Sequence, residues 1–299
     1  MERGAGQVTC VYLAFAAVTL AGAQGPPGTD IFLAALHERA GRIEIGAPIN
    51  VTHRTGYDNQ PCFAPDGRSF LYTSVADGQA DIWRYTIVAG RSARVTETPE
   101  SEYSPTPLPD GSGFSVVRVE ADSTQRLWRF DWTGAHPALV LADVKPVGYH
   151  AWRDEHTVAL FVLGQPPTLQ VADTRSGTAT RVASDIGRGV QRIPGRPAIS
   201  FVQKGSPPDS AWTLTEFDLT TRRTRPLVGT LPGVDQYAWT PRGVLLMAKG
   251  AKLYQWSPAR GADWEEVADF TALGLESITR LAVSRRGDRL ALVAADRTP

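Results

Sequence analysis

Apolar residues along this chain fall in short runs broken by Pro, Gly, Asn and Asp, as in Phe70-Leu71-Tyr72-Thr73-Ser74, Ile82-Trp83-Arg84-Tyr85 and Leu127-Trp128-Arg129-Phe130. Short runs rich in β-branched and aromatic residues between turn signals predict β-strands. No segment sustains the spacing of about 3.6 residues that marks an amphipathic helix. Pro or Gly recurs too often for helical repeats.

The runs repeat. Phe63-Ala64-Pro65-Asp66-Gly67 returns 44 residues later as Pro107-Leu108-Pro109-Asp110-Gly111. Trp239-Thr240-Pro241-Arg242-Gly243 and Val283-Ser284-Arg285-Arg286-Gly287 keep the same frame, with degenerate copies at Trp152-Arg153-Asp154-Glu155 and Ile193-Pro194-Gly195-Arg196. Index positions 63, 107, 152, 193, 239 and 283 are therefore 44, 45, 41, 46 and 44 residues apart. A second series, Ile82, Leu127, Leu169, Leu214 and Leu253, opens a later strand in each unit. Asp66-Gly67 and Asp110-Gly111 suit tight hairpins, because glycine takes positive φ without a Cβ clash. Four strands in a period of about 44 residues predict a propeller blade. The fold class is all-β: a six-bladed β-propeller with four-stranded antiparallel blades. After position 283 only two strands remain, Thr279 to Ser284 and Asp288 to Ala295. The missing pair is expected at the N-terminus, where Asp30 to Ala34 matches the third-strand series and Ile49 to Pro61 matches Ala93 to Pro105. Such closure hides two sheet edges.

The stretch Arg94-Val95-Thr96-Glu97-Thr98-Pro99, Glu102-Tyr103-Ser104-Pro105, Pro109-Asp110-Gly111 resembles the TolB-like bacterial propeller repeat, and Pro61, Phe63 and Pro65-Asp66-Gly67 repeat it. The likeness is to the propeller alone, without the α/β domain that precedes it in TolB. It implies an exported bacterial protein that binds proteins or peptides through one face or the central channel.

An apolar run, Val8 to Gly22, follows Arg3 and ends in Ala21-Gly22-Ala23. This pattern reads as a signal peptide over residues 1–23, cleaved before Gln24. The run is short for a bilayer span, which takes about 20 residues. Residues 24–299 are then one propeller domain in the periplasm or secreted medium, with no transmembrane segment after cleavage. Cys10 is lost with the leader and Cys62 stands alone, so no disulfide framework exists.

Lys+Arg and Asp+Glu both number 31, which leaves no basic excess for nucleic acid. No G-x-S-x-G, H-E-x-x-H or phosphate loop occurs, and His37, His53, His136, His150 and His156 lack metal-ligand spacing. No catalytic residue, metal or other cofactor is expected. The expected partner is an envelope or extracellular protein or peptide, bound by a monomer. The alternative is a channel-site enzyme of the lactonase or cyclotransferase kind acting on a small molecule, whose scattered residues leave no local motif.

Trp83, Trp128, Trp152, Trp239 and Trp256 hold repeat positions and read as blade packing. Trp132, Trp212 and Trp264 lie outside the frame and stay open to a ligand role. The first strand of each blade lines the channel, so residues entering it crowd one mouth. The frame nominates Asp58, Glu102, Tyr103, Tyr149, His150, Arg192, Asp235, Tyr237 and Arg280 as a binding surface. As mouth residues, Asp58 and Glu102 should each cost no more than a surface change when removed, about 0.5 kcal/mol.

Overall fold

The computed structural model describes residues 28–205, 211–261 and 263–295. The proposed leader, residues 1–23, lies outside them. The described chain opens with β1 (Thr29–Arg39), β2 (Arg42–Ile45) and the two-residue β3 (Ile49–Asn50). Blade 1 follows as β4 (Asp58–Phe63), β5 (Ser69–Ala76), β6 (Gln79–Thr86) and β7 (Arg91–Arg94). Blade 2 holds β8 (Ser101–Pro107), β9 (Gly113–Val119), β10 (Gln125–Asp131) and β11 (Ala138–Leu139). Blade 3 holds β12 (Val147–Trp152), β13 (Thr157–Val162), β14 (Thr168–Asp173) and β15 (Thr178–Ser184). Blade 4 holds β16 (Ile186–Arg192), β17 (Ala198–Gln203), β18 (Thr213–Asp218) and β19 (Arg223–Gly229). Blade 5 holds β20 (Ala238–Trp239), β21 (Leu245–Lys249), β22 (Lys252–Trp256) and β23 (Glu265–Asp269). The chain ends in β24 (Arg280–Val283) and β25 (Arg289–Ala295).

These strands form six antiparallel sheets, five of them built from four consecutive strands. The sixth runs β2-β1-β25-β24, with β3 also on β1, so the N-terminal strands complete the last blade. The register of β1 on β25 is continuous from Thr29↔Ala295 to Ala35↔Arg289. One detail departs from the frame. The match of Ile49 to Ala93 finds only β3, while the body of the outer strand is β2, further upstream. Gly46 makes the step between them, its N–H bonding the Ala35 carbonyl at 3.0 Å. Ile49 is consequently 68% exposed, not part of the core.

The second and third strands of each blade carry the apolar runs, which bury against neighbouring blades. Leu36 and Ile43 of blade 6 pack with Leu246, Leu253 and Phe270 of blade 5. Ile31, Ala291 and Val293 pack with Phe63, Phe70 and Tyr72 of blade 1. Pro65-Asp66-Gly67 and Pro109-Asp110-Gly111 are tight turns with Gly67 at φ 68° and Gly111 at φ 75°, as the sequence requires. The first strands of successive blades pack together around the axis, and this places their N-terminal ends at one mouth.

Candidate functional site

One residue from each blade meets at that mouth: Tyr57, Tyr103, Tyr149, Arg188, Asp235 and Arg280. They lie within three residues before, or among the first three residues of, β4, β8, β12, β16, β20 and β24. Blades 1 to 3 therefore give an aromatic half and blades 4 to 6 a charged half. The Tyr57 phenol is pushed up to about 12, chiefly by burial, with Arg280 opposing the shift and Tyr149 and Tyr103 adding to it. Its hydroxyl therefore stays protonated at neutral pH. Arg280 and Tyr149 come from opposite blades and still touch. An Arg280 Nη2–H donates to the Tyr149 hydroxyl at 3.3 Å, and the guanidinium lies 5.0 Å from the ring centre. Such cation–π contacts are worth about 0.5–2 kcal/mol.

Beneath this ring lie buried ion pairs. Arg54 Nε donates to both oxygens of Asp58 at 3.0 Å, and its Nη2 reaches Ser74 Oγ and the Val75 carbonyl. Arg118 Nε donates to Glu102 Oε1 at 3.1 Å, and the Thr96 and Thr98 hydroxyls complete the carboxylate's partners. Asp58 and Glu102 are both 0% exposed. Burial raises both carboxyls, and the arginine and hydroxyl partners pull the other way. Neither acid is a surface group, so the surface-like cost expected of their removal does not apply: deleting Glu102 strands the buried Arg118, which costs about 3–5 kcal/mol, whereas Arg54 beside Asp58 keeps about a third of its side chain exposed and is stranded less severely.

Asp235 is held differently. Arg188 grips it through Nε at 3.1 Å, Nη2 at 3.0 Å and its own backbone N–H at 3.0 Å. Burial pushes the Asp235 carboxyl up, but the Arg188 bonds outweigh it and the net shift is downward. The local sequence Gly187-Arg188-Gly189 explains the close fit. A Cβ on Gly187 would sit 2.6 Å from Asp235 Cβ, and one on Gly189 would sit 2.3 Å from the Asp235 carbonyl oxygen. Only glycine lets β16 approach so near.

Of the nominated residues, Tyr103, Tyr149, Asp235 and Arg280 stand in the mouth ring, and Asp58 and Glu102 lie buried directly beneath it. His150 and Tyr237 are placed elsewhere, inside blade interfaces. His150 Nε2 lies 2.7 Å from Ser115 Oγ, which also accepts from Trp152 Nε1 at 2.8 Å and donates to the Thr106 carbonyl. Tyr237 OH and Trp239 Nε1 converge on Ser200 Oγ at 2.8 and 2.9 Å, and Ser200 donates to the Gln191 carbonyl. The same serine hub thus joins blade 2 to 3 and blade 4 to 5. Arg192 is exposed at the opposite end of β16.

Tyr57, Arg188 and Arg54 were not nominated. Arg188 had a usable signal: it stands five residues before index position 193, as Asp58 stands before 63 and Glu102 before 107. The off-frame tryptophans pack as well. Trp132 and Trp264 donate to the Gly111 and Gly229 carbonyls, and Trp212 lies under Lys204 at 4.8 Å. Cys62 keeps part of its surface exposed while burial pushes its thiol up to about 12. Among the described residues, no helix is long and apolar enough to cross a membrane.

No family model matches the chain. A protein of Agrobacterium fabrum is 31% identical over 80 residues, which is 27% of this chain and 27% of that protein. The fold is similar to that of a protein described as a TolB from Agrobacterium tumefaciens, at TM-score 0.69 and 16% identity, covering 90% of this chain and 99% of that one. TolB from Acinetobacter baumannii gives TM-score 0.60 and 14% identity over 89% of this chain, which spans 64% of that protein. Oligogalacturonate lyase from Vibrio parahaemolyticus gives TM-score 0.52 and 10% identity, covering 90% of this chain and 98% of that chain. The chain has the TolB-like propeller fold.

Proposed function

We propose that this chain is an exported, non-catalytic interaction module that binds a protein or peptide at the channel mouth. The observation that carries this reading is the six-blade ring, in which Tyr57, Tyr103 and Tyr149 face Arg188 and Arg280. Tyrosine and arginine are the residues that anchor protein interfaces, because they give large contact area with directional donors. The likeness to the TolB propellers supports the same reading. Export rests on the apolar run Val8 to Gly22 and its Ala21-Gly22-Ala23 ending; sequencing the mature protein from its host should find Gln24 first, and an intact Met1 would refute it.

The competing reading is a channel-site enzyme acting on a small molecule, and the fold shared with oligogalacturonate lyase favours it. Affinity capture from envelope extracts with mass spectrometry separates the two. The unaltered protein should retain one partner, and Tyr103→Ala with Tyr149→Ala should lose it while still melting cooperatively, at a temperature lowered by the lost Arg280–Tyr149 contact. A partner retained by the double variant would refute the mouth assignment. Turnover of a small molecule abolished by that variant would establish the enzyme instead.

A further inference from the structure

Beside the ring, a cleft of about 330 Å³ opens between blades 5 and 6, lined by Arg188, Asp235, Gln236, Lys249, Ser277 and Arg280 among others. We infer that this cleft takes a carboxylate carried by a peptide lying across the mouth, an inference that rests on the binding reading above. The charges in the lining do not cancel. Asp235 is its one carboxylate among the described residues and is already matched by Arg188 at 3.0 Å. Lys249 and Arg280 have no carboxylate partner among the described residues. Gln236 adds a buried Nε2 with no acceptor among the described residues, a donor that a bound acceptor would satisfy. Among the described residues, two cations without a carboxylate partner and an amide donor without an acceptor make a cleft that an anion would complete.

The geometry also favours an anion of one size and shape. Arg280 spends one N–H on Tyr149, which fixes the guanidinium at the boundary between ring and cleft. Its remaining N–H groups have no protein acceptor among the described residues, and the guanidinium fork matches a carboxylate. The floor is firm: Ile278 N–H bonds the Gly250 carbonyl and Thr279 N–H the Val293 carbonyl, both at 2.8 Å. The volume is at the low end for ligand sites, about 300–1,000 Å³, so it suits one acidic side chain or chain terminus. The tyrosines next to it offer the rest of an extended peptide a surface, which a free acid would leave unused.

Calorimetric titration of the full chain tests this with four probes: an acetylated and amidated hexapeptide of alternating Glu and Ala, its Gln counterpart, glutarate and inorganic phosphate. The Glu peptide should bind at least about tenfold tighter than the Gln peptide, a difference of about 1.4 kcal/mol. Lys249→Gln should weaken the Glu peptide about tenfold and leave the Gln peptide unchanged, and Arg280→Gln should weaken the Glu peptide about tenfold more than the Gln peptide. Lys249 is exposed, so its variant should keep the native stability, which a melt of the variant checks. Equal affinity for the two peptides, or unaltered affinity in both variants, would overturn the cleft. Glutarate or phosphate binding as tightly as the Glu peptide would overturn the peptide assignment. Loss of the captured partner in Tyr103→Ala, with Lys249→Gln keeping both partner and peptide affinity, refutes the cleft while the binding reading stands.

Discussion

Acidification from pH 7 to 4.5 asks His150 to accept a proton inside the interface between blades 2 and 3. Ser115 has one hydrogen and gives it to the Thr106 carbonyl, so its lone pairs accept from Trp152 and from His150 Nε2–H. His150 Nδ1 is then the bare nitrogen, and it is buried with no partner. Protonation would place a charge and an unsatisfied N–H there together. Burial accordingly lowers the group from its ordinary 6.5 to about 3. The folded state thus holds this proton less readily than the unfolded chain, so stability is complete above about pH 6.5 and falls as pH drops toward about 3. Each pH unit in that window is worth about 1.4 kcal/mol, which gives about 3 kcal/mol between pH 6.5 and 4.5. For a domain of this size that is a fall of roughly 6–12 °C in melting temperature. His150→Gln keeps an N–H donor and removes the titration. Melting curves of both proteins at pH 7 and 4.5 should show the loss in the native protein and most of it abolished in the variant. Parallel losses would refute the buried Ser115–His150 contact and return His150 to the solvent-facing mouth.

Three further outcomes follow from the packing. Removing residues 24–54 takes away Ile31, Leu36 and Ile43, each at most 5% exposed and worth about 1.5–3 kcal/mol; against a net stability of about 5–15 kcal/mol the remainder should be insoluble or melt far lower, and an unchanged melt would refute ring closure. Glu102→Ala should cost about 3–5 kcal/mol in denaturant titration by stranding Arg118, and a loss under about 1 kcal/mol would show that the pair is not buried. Gly189→Ala, with its Cβ 2.3 Å from the Asp235 carbonyl oxygen, should destabilise by about 1–3 kcal/mol and weaken partner capture through the displaced Arg188; a neutral melt would refute the close approach.

Blade number, hairpin turns and closure were legible because they rest on periodicity and on residues such as Gly67 and Gly111, whose backbone angles leave few alternatives. The mouth was legible only to within a residue. Alternation along a strand should say which of Glu102 and Tyr103, or of Tyr149 and His150, faces the axis. The inner strands break that rule. Their registers shift between Asn59 and Cys62, Tyr103 and Thr106, Val147 and Tyr149, and Ile186 and Val190. Gln60 and Ser104 take positive φ at two of these bulges, a conformation that their side chains do not advertise. Arg54 was hidden for another reason: its counterpart 44 residues on is Thr98, a hydroxyl that donates to Glu102, so the repeat does not mark the position for a cation.

The pairing of Thr29 with Ala295 also sets a clock. β1 ends at Arg39 and its partner strand starts at Arg289, about 250 residues later, so translation at about 5–20 residues per second leaves β1 without its partner for roughly 12–50 s. During that interval the segment carrying Ile31, Leu33 and Leu36 can pair with β2 and β3 alone, and its edge toward β25 stays open; nascent chains with open apolar strands are the ones that associate wrongly. Blades 1 to 5 each pair strands within one stretch of chain and can form as they emerge. The last blade cannot, since joining the two ends requires closing the longest loop the molecule contains. Ring closure is therefore the step at which folding is slowest and at which a holding chaperone would have most effect.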